Sequence, residues 1–168
     1  MSRYRPPQER SSPYITPEGF ATLQREETEI WKKRAEVTQA LSAAAAEGDR
    51  SENAEYIYRK KQLREIDRRI RYLQKRLPDL NVVEQVGNKG QVFFGAWITL
   101  EKEDGTEVEY RIVGGDEIDS DSSKGYISVD SPMARALLKK HVDDEVVVKI
   151  GPTESRYFVS KIRYAASA

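Results

Sequence analysis

Residues 59–80 read RKKQLREIDRRIRYLQKRLPDL. Within them Leu63, Ile66, Ile70, Leu73, Leu77 and Leu80 fall at alternating spacings of three and four. That is the period by which one helix packs along a stripe of another. The partner lies upstream, where Phe20, Leu23, Glu27, Ile30, Arg34, Val37, Leu41 and Ala44 keep the same alternation. Glu27 and Arg34 interrupt that seam and are expected to pin the pair by polar contacts. Thr16-Pro17-Glu18 opens the first helix, with Thr at the cap, Pro at the first helical position and an acid in the first turn. Between the seams stands Glu47-Gly48-Asp49-Arg50-Ser51, which holds the only glycine between Gly19 and Gly87. One short turn between two seamed helices gives an antiparallel hairpin. Arms of roughly 30 residues extend it about 45 Å. Such a rod is a probe, a spacer or a dimer interface.

Pro78 and Asn81 end the second helix, and the composition then changes. Runs 82–86, 91–100, 107–113, 126–129, 145–150 and 157–164 are rich in aromatic and branched residues, separated by glycines and aspartates. One short helix interrupts them, with Ser131 as its cap, Pro132 as its first residue and Met133 to Lys140 following. The chain therefore reads as α+β. Residues 1–15, rich in Arg, Ser, Pro and Gln, form a mobile leader. Residues 16–81 form the coiled-coil hairpin, and residues 82–168 form a small antiparallel β-sheet domain with one short helix.

Of the 168 residues, 33% are charged and 38% hydrophobic, lean for one compact core and in keeping with a solvent-wrapped rod. The formal net charge is zero, yet nine basic residues face only Glu65 and Asp67 between Arg59 and Arg76. Residues 82–168 hold 11 basic and 15 acidic residues. One strongly basic segment in a neutral chain points to a localised anionic partner. The absence of cysteine excludes disulfides and thiolate metal sites, and the single histidine, His141, excludes a histidine cluster for zinc. With no apolar run of membrane-spanning length and no signal peptide, a cytoplasmic chain that avoids the membrane is expected.

Two constellations carry candidate chemistry. At the tip, Asp49 and Glu52 either cap the second helix reciprocally or act as a pair of oxygen ligands for a hard cation such as Mg²⁺, which takes one or two protein carboxylates. Supplied to an incomplete site on another molecule, they complete it. The second constellation is Lys61, Arg64, Arg68, Arg71 and Lys75, which share one helical face, read as lying beside the apolar seam. Ordinary flanks mix signs, so this excess favours a phosphate backbone. Tyr56 and Tyr58 either stack on bases or pack against the first helix, and Tyr56, which extends the seam register, is expected to pack. For Asp130-Ser131-Pro132-Met133 the residues alone give a cap and a core methionine; for His141 they give a surface position.

The tip Gly48-Asp49-Arg50-Ser51-Glu52-Asn53-Ala54-Glu55-Tyr56 resembles the signature turn of the bacterial Gre transcript-cleavage factors. The run from Lys60 to Leu73, Val92-Phe93-Phe94-Gly95-Ala96-Trp97 and the stretch from Ser128 to Lys140 resemble the GreB branch of that family, and the likeness runs from about Tyr14 to Tyr164. The resemblance implies an N-terminal antiparallel coiled coil and a C-terminal domain similar to FK506-binding proteins. It also implies a partner, bacterial RNA polymerase, and a function: rescue of backtracked complexes by stimulating the polymerase's own cleavage of extruded RNA. The chain is then no enzyme by itself but a donor of catalytic groups. Asp49 helps hold a Mg²⁺ shared with polymerase and not bound tightly alone; Glu52 positions the attacking water. Arg50, Ser51, Asn53 and Tyr56 support the tip, the basic stripe holds the extruded RNA 3′ end, and Asp130, Ser131, Pro132 and Met133 meet the rim of the secondary channel. A monomer is expected. The leader is about ten residues longer than the GreB pattern. Two other classes compete: a channel-binding regulator without cleavage, resembling DksA in shape, and a free-standing prolyl isomerase. The tip spacing and missing cysteines weigh against the first, and fold alone does not supply the second.

Overall fold

The computed structural model describes residues 11–48, 53–84, 90–118 and 124–164. The chain divides into two units, Phe20–Leu80 and the combination of Met1–Gly19 with Asn81–Ala168.

The first unit is the hairpin. Helix α1 spans Pro17–Ala45 and helix α2 spans Ala54–Arg76, closed by a 3-10 turn at Leu77–Asp79. The Thr16 hydroxyl accepts from Gly19 N at 3.1 Å, so the expected cap is in place. Along α1 the buried residues are Leu23, Ile30, Val37 and Ala44, one per heptad. Along α2 they are Ile66, Ile70 and Leu73. Ile30, Val37, Ile66 and Ile70 form one apolar cluster, with Leu63 packed on it. Arg34 Nε donates to Asp67 Oδ1 at 2.6 Å. Arg69 makes a two-pronged contact with Glu26, both bonds 2.8 Å. Rising numbers on α1 meet falling numbers on α2, which is antiparallel pairing. Arg34 does pin the hairpin as its seam position suggested; the second cross-link comes from Glu26, the neighbour of Glu27.

The second unit is built on a five-stranded sheet. Its strands are β3 (Ala96–Lys102), β4 (Glu107–Val113), β5 (Tyr126–Ser128), β6 (Glu145–Ile150) and β7 (Thr153–Tyr164), in the order β5-β4-β3-β7-β6. Ala96, Ile98, Leu100, Ile112, Val146, Val148, Val159 and Ile162 turn to one face and pack with Ala134 and Leu137 of helix α3 (Pro132–Leu137). Alternation along β3 sends Trp97 and Thr99 to the opposite face. Between Thr99 and Leu100 the register with β7 slips by one residue; Ser160 is the extra residue, and its hydroxyl donates to Thr99 O at 3.1 Å.

Three differences from the sequence reading have physical causes. The sheet is not wholly antiparallel, because β5 pairs with β4 in parallel. A connection of about a dozen residues joins those strands, the length that parallel pairing requires. Residues 91–95 precede the strand, leaving only a bridge between Gln91 and His141. Of the expected leader, residues 1–10 lie outside the described residues, and residues 11–15 are no free segment. Tyr14–Ile15 (β1) pairs in parallel with Asn81–Val82 (β2), and Ile15 is fully buried. Gly114 lies so close that a Cβ there would meet Tyr14 O at 2.0 Å, so the strap crosses only over glycine.

Glu117, at the end of a 3-10 turn over Gly115–Glu117, holds this strap down. Its carboxylate accepts from Gly114 N at 2.7 Å, from Thr16 N at 3.1 Å and from the Thr16 hydroxyl. Nearby, partial burial pushes the Glu18 carboxyl up. Its own backbone N–H, the Thr16 hydroxyl and the Arg111 guanidinium outweigh that and hold it below the usual glutamate value. A depressed carboxyl stabilises the fold above its unfolded value and loses that contribution as pH falls through the folded one. Glu18→Gln should therefore lower the thermal midpoint at neutral pH, with the gap from wild type closing in acid; a gap that stays constant with pH would contradict this.

Candidate functional site

The described residues frame the tip. Helix α1 ends at Ala45, and Gly48 takes a positive φ of 135°, a conformation that glycine adopts without a Cβ penalty. Asp49, Arg50, Ser51 and Glu52 lie outside the described residues. The chain is described again at Asn53, which caps α2: its Oδ1 accepts from Tyr56 N at 3.0 Å. Its Nδ2 donates to Ala44 O at 2.7 Å, so one side chain ties the end of α1 to the start of α2. This corrects the alternative in which Asp49 caps the second helix, because α2 begins at Ala54 and Asn53 occupies the cap. Tyr56 is half-buried, with the Lys60 ammonium 5.8 Å from its ring centroid.

Loss of the Asn53 side chain removes both a cap and a cross-helix bond. Asn53→Ala should cost about 1–2 kcal/mol, as cap deletions do, read as an earlier loss of helical circular dichroism on heating. An unchanged transition would mean that the clasp contributes nothing.

The basic run divides into two groups. Arg59 pairs with Glu55 at 2.8 Å, Arg69 with Glu26, and the acid Asp67 with Arg34. Those charges serve the hairpin itself. Lys61, Arg64, Arg68, Arg71 and Lys75 are all exposed, and no ion pair among the described residues involves them. Their placement beside the seam needs correction. At about 100° per residue, Lys61 stands roughly 200° from Leu63, and Arg68 the same from Ile70. The stripe therefore lies across the helix from the seam, on the outward face. It runs about 21 Å from Lys61 to Lys75.

In the second unit, Asp130 accepts from Ser12 N at 2.8 Å and from the Ser12 hydroxyl. Ser131 caps α3, accepting from Ala134 N at 3.2 Å. Pro132 is exposed, and Met133 packs against the core. The cap and the core methionine are thus both present. His141 is exposed, its backbone N–H donating to Asp144 at 2.7 Å.

Sequence reasoning missed a cluster on the outer sheet face. Trp97 is the registered neighbour of Arg111 on β4 and of Arg163 on β7. Arg163 lies 4.7 Å from a Trp97 ring centroid, Arg111 5.8 Å, and Tyr126 meets the indole edge-on at 5.7 Å. Arg111 is buried, its Nε donates to Gly95 O at 3.1 Å, and its Nη2 lies 3.5 Å from Glu18. Cross-strand adjacency makes such clusters, and only the strand register reveals it.

Comparison with known proteins follows the two units. Residues 13–82 match the family model "Transcription elongation factor, N-terminal", and residues 87–164 match "Transcription elongation factor, GreA/GreB, C-term". A transcription elongation factor GreB of Pseudomonas aeruginosa is 56% identical over 166 residues, covering 98% of both chains. One from Xanthomonas axonopodis pv. citri is 54% identical over 169 residues, covering 99% of both, and one from Yersinia pestis is 54% identical over 155 residues, covering 91% of this chain and 90% of its own. Among solved structures, the GreA factor homolog 1 of Thermus thermophilus aligns at TM-score 0.40 with 22% identity, covering 89% of this chain and 97% of its own.

Proposed function

The chain belongs to the GreA/GreB family of transcription elongation factors, which act on RNA polymerase, and from that premise we propose that it completes the polymerase's catalytic site for cutting backtracked RNA. The hairpin enters the secondary channel with its tip leading, and the second unit docks at the rim through the turn Asp130-Ser131-Pro132-Met133. The cleaving activity is the polymerase's own. This chain supplies Asp49 and Glu52 at the active site, with Arg50, Ser51, Asn53 and Tyr56 supporting the turn.

The tip carboxylates suit a hard divalent cation such as Mg²⁺, held jointly with polymerase. When bound, that ion stabilises the charge that develops on the oxygens of the phosphodiester. Asp49 offers oxygen ligands toward it; Glu52 orients the attacking water and takes up its proton. Asn53 keeps the two helix ends joined. The observation that carries this reading is the outward row Lys61, Arg64, Arg68, Arg71 and Lys75, exposed and without carboxylate partners among the described residues. Cations so arranged bind phosphates by releasing counterions. They lead from the tip down α2, where the extruded 3′ segment is to be held.

Two outcomes test the proposal. Stalled, backtracked bacterial polymerase with end-labelled RNA and Mg²⁺ should shorten its transcript rapidly with the wild type. With Asp49→Ala/Glu52→Ala, binding should persist while the rate falls by at least about a hundredfold, the scale of losing general acid–base help. Equal shortening by both proteins would remove the tip acids from the mechanism. Replacing Arg64, Arg68 and Arg71 by Ala should weaken action on deeply backtracked complexes and flatten its dependence on salt, by about 0.7 in log–log slope per lost phosphate contact. An unchanged slope would release the stripe from RNA.

A further inference from the structure

Ile57 and Tyr58 are large apolar side chains that the hairpin leaves outside, 52% and 58% exposed. Both stand in the first turns of α2, about 6–8 Å along the axis from Asn53. Ile57 shares the helical row of Arg64 and Arg71, seven residues apart each time, and Tyr58 is one turn before Lys61. Ile57 thus heads the outward cationic row on its tip side, and Tyr58 stands about 100° around the helix from it, lining with Lys61, Gln62 and Glu65 the groove between α2 and α1. The Arg59 guanidinium lies 5.6 Å from the Tyr58 ring centroid. Exposed positions of a paired helix are ordinarily polar, so an isoleucine on the outward face and a tyrosine ring open on its flank, beside Lys61, point to something that covers them.

We propose that Tyr58, bordered by Ile57, is a stacking platform for the base of the extruded RNA nearest the tip; this rests on the cleavage reading above. Sites for single-stranded nucleic acid pair a cationic track with aromatic rings on which bases stack. An acidic protein surface would satisfy Lys61, Arg64 and Arg68 but offer nothing specific to a ring beside them. Single-stranded RNA supplies both chemistries at once, phosphates for the cations and a π-face for the phenol ring. Holding that base fixes the neighbouring phosphodiester against the tip. Tyr58 then acts by contact with the substrate, and its hydroxyl is dispensable.

The test uses backtracked polymerase complexes whose extruded nucleotides carry either normal bases or abasic riboses, with the full-length protein and Mg²⁺. The wild type should cut normal RNA about tenfold faster than abasic RNA, within the range that loss of one stacking contact allows. Tyr58→Ala should cut both at the slower, abasic rate, and Tyr58→Phe should restore the preference. Because Tyr58 is exposed, Tyr58→Ala should leave the thermal midpoint unmoved, which separates this role from a structural one. Equal cutting of the two RNAs by wild type, or a preference that survives Tyr58→Ala, would overturn the platform and leave the cleavage reading standing. No cutting of either RNA by the wild type would overturn both.

Discussion

Burial of one apolar row against another along the hairpin is the interaction on which the rest depends. Ile30, Val37, Ile66 and Ile70 leave water together. At about 1.5–3 kcal/mol for each such side chain, the cluster is worth roughly 6–12 kcal/mol as an upper bound. On the other side of α2, four successive like-charged pairs run from Lys61 to Lys75, each costing about 0.2–0.5 kcal/mol. The total repulsion is smaller than the burial. The helix can therefore carry an unneutralised row of cations, provided that the seam faces inward and the row faces outward. Arg34–Asp67 and Arg69–Glu26 reinforce the division by taking up those acids within the hairpin.

In the second unit a single carboxylate has a comparable part. Glu117 accepts from Gly114 N and from both the backbone and hydroxyl of Thr16, while the Thr16 hydroxyl also caps α1. The strap Tyr14–Ile15, the 3-10 turn and the first residues of α1 are thereby joined within one hydrogen-bonded knot. Ser12 extends it to Asp130, next to the cap of α3. The turn proposed to meet polymerase is shaped by residues more than a hundred positions away in sequence.

Periodic features are legible in the sequence itself. The two heptad rows, the cap at Thr16, strands β4 and β6 to the residue, and the cap and proline opening α3 all follow from local chemistry. Features set by long-range pairing are not. Nothing in Tyr14 and Ile15 announces that they pair with Asn81 and Val82, and a short polar N-terminus reads as leader when its partner is unknown. The parallel pairing of β5 and the Trp97–Arg111–Arg163 stack depend on register between strands distant in sequence. The spacing of the stripe puts its five residues on one face, and the exposure of all five sets that face opposite the seam. At the tip, the sequence offers several polar residues able to cap α2, and only the start of the helix at Ala54 selects Asn53. The resemblance to a family, more than residue chemistry, singled out Asp49 and Glu52.

The Asn53 clasp separates fastening from function. The hairpin is closed by a side-chain amide on one helix and a backbone carbonyl, that of Ala44, on the other. A carbonyl is present whatever residue stands at its position, and the amide belongs to the cap. This fastening uses neither of the two acids at the tip, so a change at Asp49 or Glu52 leaves the Asn53–Ala44 bond in place. One rod can thus present different reagents at its end, and a lineage could exchange what the tip does while keeping how it is delivered.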